Sequence, residues 1–113
     1  MFEVTVDDSF AAGHYLRNYK VRVTLAGREL DKAGLLLDFK DLREVMRPTI
    51  DRLDHKMIND LEPFTVLNPS AENLAKYFYD ETNRRLDHAT GGRVRVKQVT
   101  VFETDSTTAT YAD

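Results

Sequence analysis

The 113-residue chain has 16 basic and 19 acidic side chains, a formal net charge of −3, and 42% hydrophobic residues. These values predict one globular domain with a modest core, and the interspersed charges exclude a basic surface for binding nucleic acid. The absence of cysteine excludes disulfides, thiolate metal ligands and a thiol nucleophile.

The first quarter of the chain has the alternation that is typical of half-buried β-strands. Apolar and polar side chains alternate over residues 2–6, and they alternate again over residues 21–25. Residues 26–28, Ala-Gly-Arg, indicate a turn. Two or three strands are therefore expected before the first helix.

Helical periodicity begins after Asp38, which is predicted to cap the helix and to contribute about 1 kcal/mol. Apolar residues then recur three or four positions apart, which indicates one face of a helix. The predicted face consists of Phe39, Leu42, Val45, Met46, Ile50 and Leu53. Because proline removes a backbone donor and crowds the preceding turn, Pro48 predicts a kink or a split in this helix.

A second helix is predicted to open at Asn68-Pro69, where asparagine can cap and proline suits the first helical position. Gly91-Gly92 is predicted to end it. The inward face is predicted to consist of Ala71, Leu74, Ala75, Phe78, Thr82 and Leu86.

The last part of the chain returns to strand periodicity over residues 93–103. Its apolar positions shift from even-numbered to odd-numbered residues, which predicts a β-bulge near Lys97-Gln98. Residues 105–107 can turn the chain into a short final strand through Tyr111. The predicted fold class is therefore α+β, one domain over residues 1–113, with an antiparallel sheet and both helices on one face.

The sequence also predicts where the protein resides. No apolar stretch reaches the ~20 residues that cross a bilayer. The start, MFEVTVDD, has neither the basic flank nor the apolar run of a signal peptide. We expect a cytoplasmic protein without a membrane or nucleic-acid partner.

Two of the three histidines, His55 and His88, end the same tetrapeptide, Arg-Leu-Asp-His. His88 lies at the predicted end of the second helix, where a partly protonated imidazole interacts favourably with the helix carbonyls, so we expect a capping role. His55 follows the first helix, and the carboxylate of Asp54 can raise its basicity and orient it for acid–base catalysis. A simple hydrogen bond from His55 to a backbone carbonyl explains the same position equally well.

The third histidine, His14, lies among small residues before a predicted strand. Catalytic zinc takes about three protein ligands, and a site built from all three histidines requires three remote segments to converge. From these residues alone, His14 is expected to be a polar residue at a strand end.

Glu103 is an acidic residue in phase with the apolar side chains of its predicted strand, which places it on their face of the sheet. An acid on a mostly buried face is costly unless it has a donor partner. One possible partner is an arginine, and Arg93 and Arg95 are near in sequence. The other is a ligand with paired N–H groups, such as an aminopyrimidine ring, and the sequence does not choose between them.

Five segments carry a resemblance that spans the chain. They are FAAGH (10–14), GLLLDF (34–39), LDHKMIN (53–59), NPSAENLA (68–75) and VFETDSTTATY (101–111). In this order and spacing they resemble the motifs of the 6-pyruvoyl tetrahydropterin synthase and 6-carboxytetrahydropterin synthase family. The resemblance implies the T-fold, a four-stranded antiparallel sheet with two helices on one face, whose subunits join their sheets around a central tunnel.

The resemblance also implies roles for individual residues. His14 matches the first of three histidines that hold a catalytic zinc ion. Asp54 and His55 match the acid–base pair, and Glu103 matches the glutamate that anchors the pterin ring. Three further residues lie in motifs that line the pterin pocket: Ser70, Glu72 and Thr104.

The implied activity is that of a zinc-dependent carbon–oxygen lyase. The family's substrate is 7,8-dihydroneopterin triphosphate, zinc coordinates its side-chain hydroxyls, and a cysteine thiolate and the Asp–His pair move protons while triphosphate departs. The product is a 6-substituted tetrahydropterin, made for tetrahydrobiopterin or for queuosine and other deazapurines. The compact chain favours the 6-carboxy enzyme over the 6-pyruvoyl enzyme, and the resemblance implies a homo-oligomer, a trimer or a hexamer.

One family segment is absent from this sequence. Members carry the catalytic cysteine and a His-Gly-His pair between the first histidine and the next strand, whereas here Asn18-Tyr19 leads directly into residues 20–23. Either the protein has lost the segment and is a pterin- or purine-binding relative without turnover, or the printed sequence lacks a loop of the natural polypeptide. Metal-binding loops are often disordered when empty, and Asp54, His55 and Glu103 are retained, so we expect the second explanation.

Overall fold

The computed structural model describes residues 1–13 and 17–113, which form two strands, two helices and then two more strands. A single turn of 3-10 helix, Ile58–Asp60, lies between the helices. Neither helix of the described residues is long and apolar enough to cross a membrane. The main elements are β1 (Phe2–Ala12), β2 (Arg17–Gly27), α1 (Phe39–Leu53), α2 (Ala71–Thr90), β3 (Arg95–Thr104) and β4 (Thr107–Ala112).

The four strands form one antiparallel sheet in the order β1-β2-β3-β4. β1 pairs with β2 along its whole length, from Phe2 opposite Gly27 to Ala12 opposite Arg17. Alternate residues of the strands are buried against α1 and α2, as the period of two requires. The predicted α+β class and the four-stranded antiparallel sheet are confirmed.

The first helix begins where the sequence predicts. The carboxylate of Asp38 accepts a hydrogen bond from the backbone N–H of Lys40 at 2.9 Å, which confirms the cap. The predicted inward face is confirmed except at its first residue, because Phe39 is 57% exposed. Phe39 lies in the first turn of α1, beside an open groove along β1 and β2.

Pro48 does not split α1, which runs without a break from Phe39 to Leu53. Pro48 and Glu44 are both exposed, so the Glu44 carbonyl that loses its helical partner lies where water can replace that partner. The predicted split is therefore wrong, and the kink stays a prediction.

The second helix begins two residues later than predicted. Ser70, not Asn68, is the N-cap, and its hydroxyl accepts a hydrogen bond from the backbone N–H of Asn73 at 3.1 Å. The carbonyl of Asn68 accepts bonds from the Ser70 N–H and the Asn73 side chain, both at 2.8 Å, so it closes a turn before the helix. Gly91 ends the helix with a φ of 62°, as predicted, and the predicted inward face is buried.

Two irregularities in β3 change which residues face which way. Thr24 pairs with Gln98 and Leu25 pairs with Val96, so Lys97 is the extra residue of the predicted bulge. The second irregularity was not predicted and falls at Glu103. Phe102 pairs with Thr108 and Thr104 with Thr107, which leaves Glu103 without a cross-strand partner.

Candidate active site

The candidate site lies at one end of the sheet, where β1 and β3 end and β2 and β4 begin. The loop after α1 is bonded to this end by three backbone or carboxylate contacts. The N–H of Gly13 donates to the carbonyl of Lys56 at 3.0 Å, and both backbone groups of Ala11 bond to residues 54 and 55. The end of β1 therefore holds the Asp54–His55 pair in place.

Asp54 and His55 are in direct contact, as predicted. The Asp54 Oδ1 atom accepts the backbone N–H of Ala11 at 2.9 Å and lies 3.1 Å from His55 Nδ1. The backbone N–H of His55 donates to the carbonyl of Ala11. The His55 side chain is 68% exposed and that of Asp54 is 38% exposed, so the imidazole is the accessible member of the pair.

The electrostatics of this pair favour a base at His55 Nε2. The bond from the Ala11 N–H, with smaller contributions from His55, lowers the pKa of Asp54 below its ordinary value of 3.8, and desolvation opposes them. Asp54 is therefore ionised at neutral pH, and its charge favours the tautomer that carries the proton on Nδ1. The Nε2 lone pair then remains available to accept a proton.

His55 adopts a left-handed backbone conformation, with a φ of 58°, which is uncommon for a residue with a side chain. This conformation costs about 1–2 kcal/mol relative to an ordinary one. The bonds from residues 54 and 55 to Ala11 hold the chain in it. Strain of this kind concentrates at functional sites, which favours a functional role for the junction.

Glu103 is paired with an arginine, but not with either one named from the sequence. The Nη1 atom of Arg17 lies 3.1 Å from Glu103 Oε1, with the two side chains 58% and 42% exposed. Arg93 instead donates to two backbone carbonyls, those of Glu29 and Leu36, and Arg95 is exposed. Antiparallel pairing brings the start of β2 beside the end of β3, so the partner of Glu103 is remote in sequence.

Tyr19 completes what we call the anchor cluster, Arg17, Tyr19 and Glu103. Its ring is 9% exposed and stacks on Phe10 with 5.1 Å between ring centroids. Burial raises the pKa of Tyr19, the charge of Arg17 opposes this, and the charge of Glu103 adds to it. Sequence reasoning missed Arg17 and Tyr19 because only the strand register brings them to Glu103.

The anchor cluster and the Asp54–His55 pair lie on neighbouring parts of the same sheet end. Ala12 of β1 pairs with Arg17, and Ala11 bonds to Asp54, whereas Glu103 lies on β3, beyond β2. Two strand spacings of about 4.8 Å separate β1 from β3. Both backbone groups of Ala11 bond to residues 54 and 55, so the Asp54–His55 pair lies on the outer edge of β1, farther still from Glu103. Among the described residues, no hydrogen bond or ion pair joins the two groups directly.

The three predicted pocket residues have structural contacts of their own. Ser70 caps α2, and the Thr104 hydroxyl lies 2.6 Å from that of Thr107 and accepts the Ser106 N–H at 3.2 Å. Glu72 is exposed in the first turn of α2.

The direction of α2 places its N-terminus at the site end of the sheet. Near its C-terminus, the Asn83 side chain accepts the N–H of Val96, at the start of β3. In its middle, Phe78 packs against Phe10 of β1 with 5.6 Å between ring centroids. Ser70, at the other end of α2, therefore lies toward the end of the sheet that holds the site.

The described residues by themselves do not form a complete zinc site. His14, the predicted ligand, lies outside the described residues, and residues 1–13 and 17–113 contain no group of three acidic, histidine or cysteine side chains that could hold a metal ion. His88 is exposed in the last turn of α2, where a capping role was expected. The Nδ1 atom of His55 faces Asp54, and the chain has no cysteine.

Comparison with known proteins assigns the family. The family model described as 6-pyruvoyl tetrahydropterin synthase matches residues 3–113. This chain belongs to that family. The 6-carboxy-5,6,7,8-tetrahydropterin synthase of Bacillus subtilis is 30% identical to it, over 97% of this chain and 84% of the relative. The enzyme of the same name from Aquifex aeolicus is 28% identical, over 85% of this chain and 72% of the relative.

Relatives that carry the 6-pyruvoyl name are similar as well. The human 6-pyruvoyl tetrahydrobiopterin synthase is 36% identical over 83% of this chain and 63% of its own length. The alignments with the two bacterial relatives span 116 and 127 positions, more than the 113 residues present here. Those relatives therefore contain residues without a counterpart in this chain, which agrees with the missing family segment.

Solved structures confirm the T-fold. The Caenorhabditis elegans 6-pyruvoyl tetrahydropterin synthase superposes with a TM-score of 0.81 at 24% identity, covering 100% of this chain and 97% of that one. The Plasmodium vivax 6-pyruvoyltetrahydropterin synthase superposes with a TM-score of 0.73 at 22% identity, covering 99% and 97%. At these identities the likeness shows the fold, and the family assignment rests on the sequence matches.

Proposed function

We propose that this chain is a lyase of the tetrahydropterin synthase family that converts 7,8-dihydroneopterin triphosphate to a 6-substituted tetrahydropterin with loss of triphosphate. The observation that carries the proposal is the placement of a carboxylate-bound imidazole and an arginine-paired glutamate at one end of the sheet. The 6-carboxy product is proposed on the names of the two bacterial relatives.

Glu103 is proposed to bind the aminopyrimidine part of the ring. An ionised carboxylate accepts two parallel N–H bonds, and the amino group and adjacent ring N–H of a pterin present such a pair. The bulge leaves Glu103 without a cross-strand partner, an irregularity that is common beside active sites. Ser70, Glu72 and Thr104 are proposed to line the same pocket.

His55 is proposed to move the proton. Its Nε2 accepts a proton from the side-chain carbon bonded to the pterin ring, and the imidazolium that forms keeps its Nδ1–H on Asp54. The charge of Asp54 stabilises that cation, and the Ala11 N–H holds the carboxylate still. The same imidazolium can return the proton at a later carbon or oxygen of the side chain.

Zinc is a separate proposal that rests on His14 and on the family resemblance. Because the other residues of the chain do not complete a zinc site, no step above is derived through the metal. Metal analysis of the purified protein, alone and after dialysis against zinc, tests it. One equivalent of zinc that is lost in His14→Ala supports the proposal, and no zinc under either condition contradicts it.

A homo-oligomer is proposed from the edges of the sheet. β1 and β4 each pair with one strand. The outer edge of β1 is open up to Ala11, which bonds to the loop after α1, and the β4 sequence, TTATYA, has no charge to protect its edge. Pairing of one copy's β4 with another copy's β1 closes such sheets into a ring, so we propose a trimer or a hexamer. The composition and the deazapurine role of the family further support a cytoplasmic enzyme of queuosine biosynthesis.

A second function, pterin or purine binding without turnover, is favoured by one specific observation. The chain has no cysteine and three histidines in all, so the residues for the second proton transfer and for zinc are missing from the printed sequence. The intact mass of the natural protein tests whether the protein has lost this segment or the printed sequence lacks it. A mass near 13.0 kDa shows that the segment is lost, and where the mass is larger, peptide mapping across Tyr19-Lys20 shows whether the added residues form the missing loop.

Turnover tests the proposed reaction. Purified protein is incubated with 7,8-dihydroneopterin triphosphate, and released triphosphate and the pterin product are measured by ion chromatography and mass spectrometry. We expect turnover by the wild type and a loss of about 10²–10⁴-fold in His55→Asn, because asparagine tolerates a positive φ but cannot act as a base. His88→Asn is the matched control and should keep full activity, because His88 is exposed on the last turn of α2. Full activity of His55→Asn contradicts the proposed role.

A further inference from the structure

The carboxylate proposed to bind the pterin already has a partner in the protein. Arg17 Nη1 lies 3.1 Å from Glu103 Oε1, and the contact joins residues 86 positions apart. The strand register explains this contact. Arg17 is the first residue of β2 and pairs with Ala12, and the Lys20–Phe102 pair places the end of β3 next to the start of β2. The contact is therefore a feature of the sheet end and not of a local turn.

A guanidinium and an aminopyrimidine present the same chemistry to a carboxylate. Both are planar, and both offer two parallel N–H donors in one plane. Arg17 supplies one such donor to the half-exposed carboxylate of Glu103. Arg17 uses one of its N–H groups on Oε1, so an incoming pterin that binds both carboxylate oxygens competes with it for that atom.

We propose that Arg17 is an internal competitor for the ligand, a positioning residue that holds Glu103 in the free protein and sets the affinity for pterins. This inference rests on the proposed function, in which Glu103 binds the pterin ring. The Arg17 side chain is 58% exposed, so it can leave Glu103 for water without moving the strands. Tyr19, two residues after Arg17 on β2, is buried and stacks on Phe10, so this part of the strand is anchored in the core.

The size of the effect follows from the exposure of the ion pair. Exposed ion pairs are worth well under a factor of ten in equilibrium terms, so removal of Arg17 is expected to tighten pterin binding about two- to fivefold. Salt screens such a pair, with a Debye length of about 3 Å at 1 M ionic strength. High salt should therefore tighten binding to the wild type and leave a variant without Arg17 nearly unchanged.

The experiment measures the dissociation constant of 7,8-dihydroneopterin by fluorescence titration at about 0.05 M and 1 M salt. This ligand lacks the triphosphate, so it isolates contacts with the ring and side chain. The variants are Arg17→Gln, Glu103→Gln and Arg95→Gln. The last makes the same change in net charge at an exposed position at the start of β3. Thermal unfolding confirms that each variant is folded.

Different results would overturn the two proposals, which are ligand binding by Glu103 and competition by Arg17. Tighter binding to Arg17→Gln at low salt, a smaller difference at high salt and no change in Arg95→Gln support the competitor. Unchanged or weaker binding to Arg17→Gln, with a loss of about tenfold or more in Glu103→Gln, overturns the competitor and keeps the proposed function. If Glu103→Gln binds 7,8-dihydroneopterin with wild-type affinity, Glu103 does not anchor the pterin. The competitor role of Arg17 is then overturned as well.

Discussion

At the scale of single residues, the proposed role of His55 as a base rests on its contact with Asp54. Its carboxylate joins the backbone of Ala11 to the imidazole, and the N–H of Ala11 is the main cause of its lowered pKa. Asp54→Asn keeps an oxygen that can accept the Ala11 N–H but removes the charge that stabilises the imidazolium. The Asp54 carboxylate thus links the backbone of β1 to the imidazole that is proposed to act as the base.

We predict that Asp54→Asn lowers kcat about 10²-fold or more and leaves the affinity for 7,8-dihydroneopterin unchanged. Steady-state kinetics with the triphosphate substrate and titration with the unphosphorylated pterin measure the two effects. Asp51→Asn is a suitable control, because Asp51 is exposed near the end of α1. An unchanged kcat in Asp54→Asn contradicts the role assigned to the pair.

The positive φ of His55 gives a prediction for stability. Glycine adopts a left-handed conformation without the steric cost that a side chain carries. His55→Gly should therefore be more stable than His55→Ala by about 1 kcal/mol, although both variants lack the base. Urea unfolding measures this difference. Equal stability of the two variants shows that the junction is not strained.

The Asp7–Arg22 pair on the open face of the sheet predicts a dependence of stability on pH. Two hydrogen bonds of 2.8 and 3.0 Å join the side chains, and the bond from Arg22 is the main cause of the lowered pKa of Asp7. Because the folded pKa lies below the ordinary value of 3.8, the stabilisation is present above that value and is lost as the pH falls through the folded pKa.

Asp7→Asn should accordingly lower the free energy of unfolding by about 0.5 kcal/mol at neutral pH, since the pair is partly exposed. The difference between wild type and variant should shrink as the pH falls below 3.8. Urea unfolding at several pH values measures it, with Asp8→Asn beside it as a control on the same strand. A difference in the free energy of unfolding that stays constant as the pH falls below 3.8 contradicts the assigned Asp7–Arg22 pair.

At the scale of elements, the start of α2 shows what local sequence can and cannot predict. Both Asn68 and Ser70 are good capping residues, and the sequence favoured Asn68 because proline follows it. The structure uses Ser70, since the Asn68 carbonyl closes a turn with the Ser70 N–H and the Asn73 side chain. Which of the two candidate residues caps α2 depends on this turn, and the identity of neither residue predicts the turn.

We predict that Ser70→Ala destabilises the protein by about 1 kcal/mol and that Asn68→Ala costs less. The cap hydroxyl satisfies the Asn73 N–H, whereas the Asn68 carbonyl belongs to the backbone and survives substitution. Thermal or urea unfolding of the two variants measures the order. A larger cost for Asn68→Ala contradicts the cap assignment.

The two bulges of β3 differ in how far sequence reveals them. The bulge at Lys97 shifts the apolar phase of several valines, so periodicity predicts it. The bulge at Glu103 falls near the end of the strand, where too few residues follow for a phase change to appear. This second bulge lies in the candidate site, because the residue that it leaves without a cross-strand partner, Glu103, is the one proposed to bind the ligand.

At the scale of the whole molecule, the order of elements and the apolar faces were predictable because periodicity is local. The Asp54–His55 contact was also predictable, since the residues are adjacent in sequence. The Arg17–Glu103 pair was not, because it depends on the register of three strands. Sequence therefore identified Glu103 as a residue in need of a partner and named the wrong arginines.

The open edges of β1 and β4 lead to a prediction about assembly. Sedimentation equilibrium should give a mass three or six times that of the single chain, because two unpaired edges per copy close in a ring. Measurements over a wide range of concentration distinguish a stable ring from open aggregation. A monomer at micromolar concentration contradicts the proposed pairing of β4 with β1.

Solvent-deuterium incorporation tests the central claim most directly, namely that His55 abstracts a proton from a pterin held at this sheet end. Protein and 7,8-dihydroneopterin triphosphate are incubated in D₂O, and the deuterium in the side chain of the recovered pterin is measured by mass spectrometry. The measurement detects proton transfer even where triphosphate release is slow. We predict deuterium in the pterin with the wild type and with His88→Asn, and none with His55→Asn. Bound pterin that gains no deuterium from the wild-type protein would contradict the account.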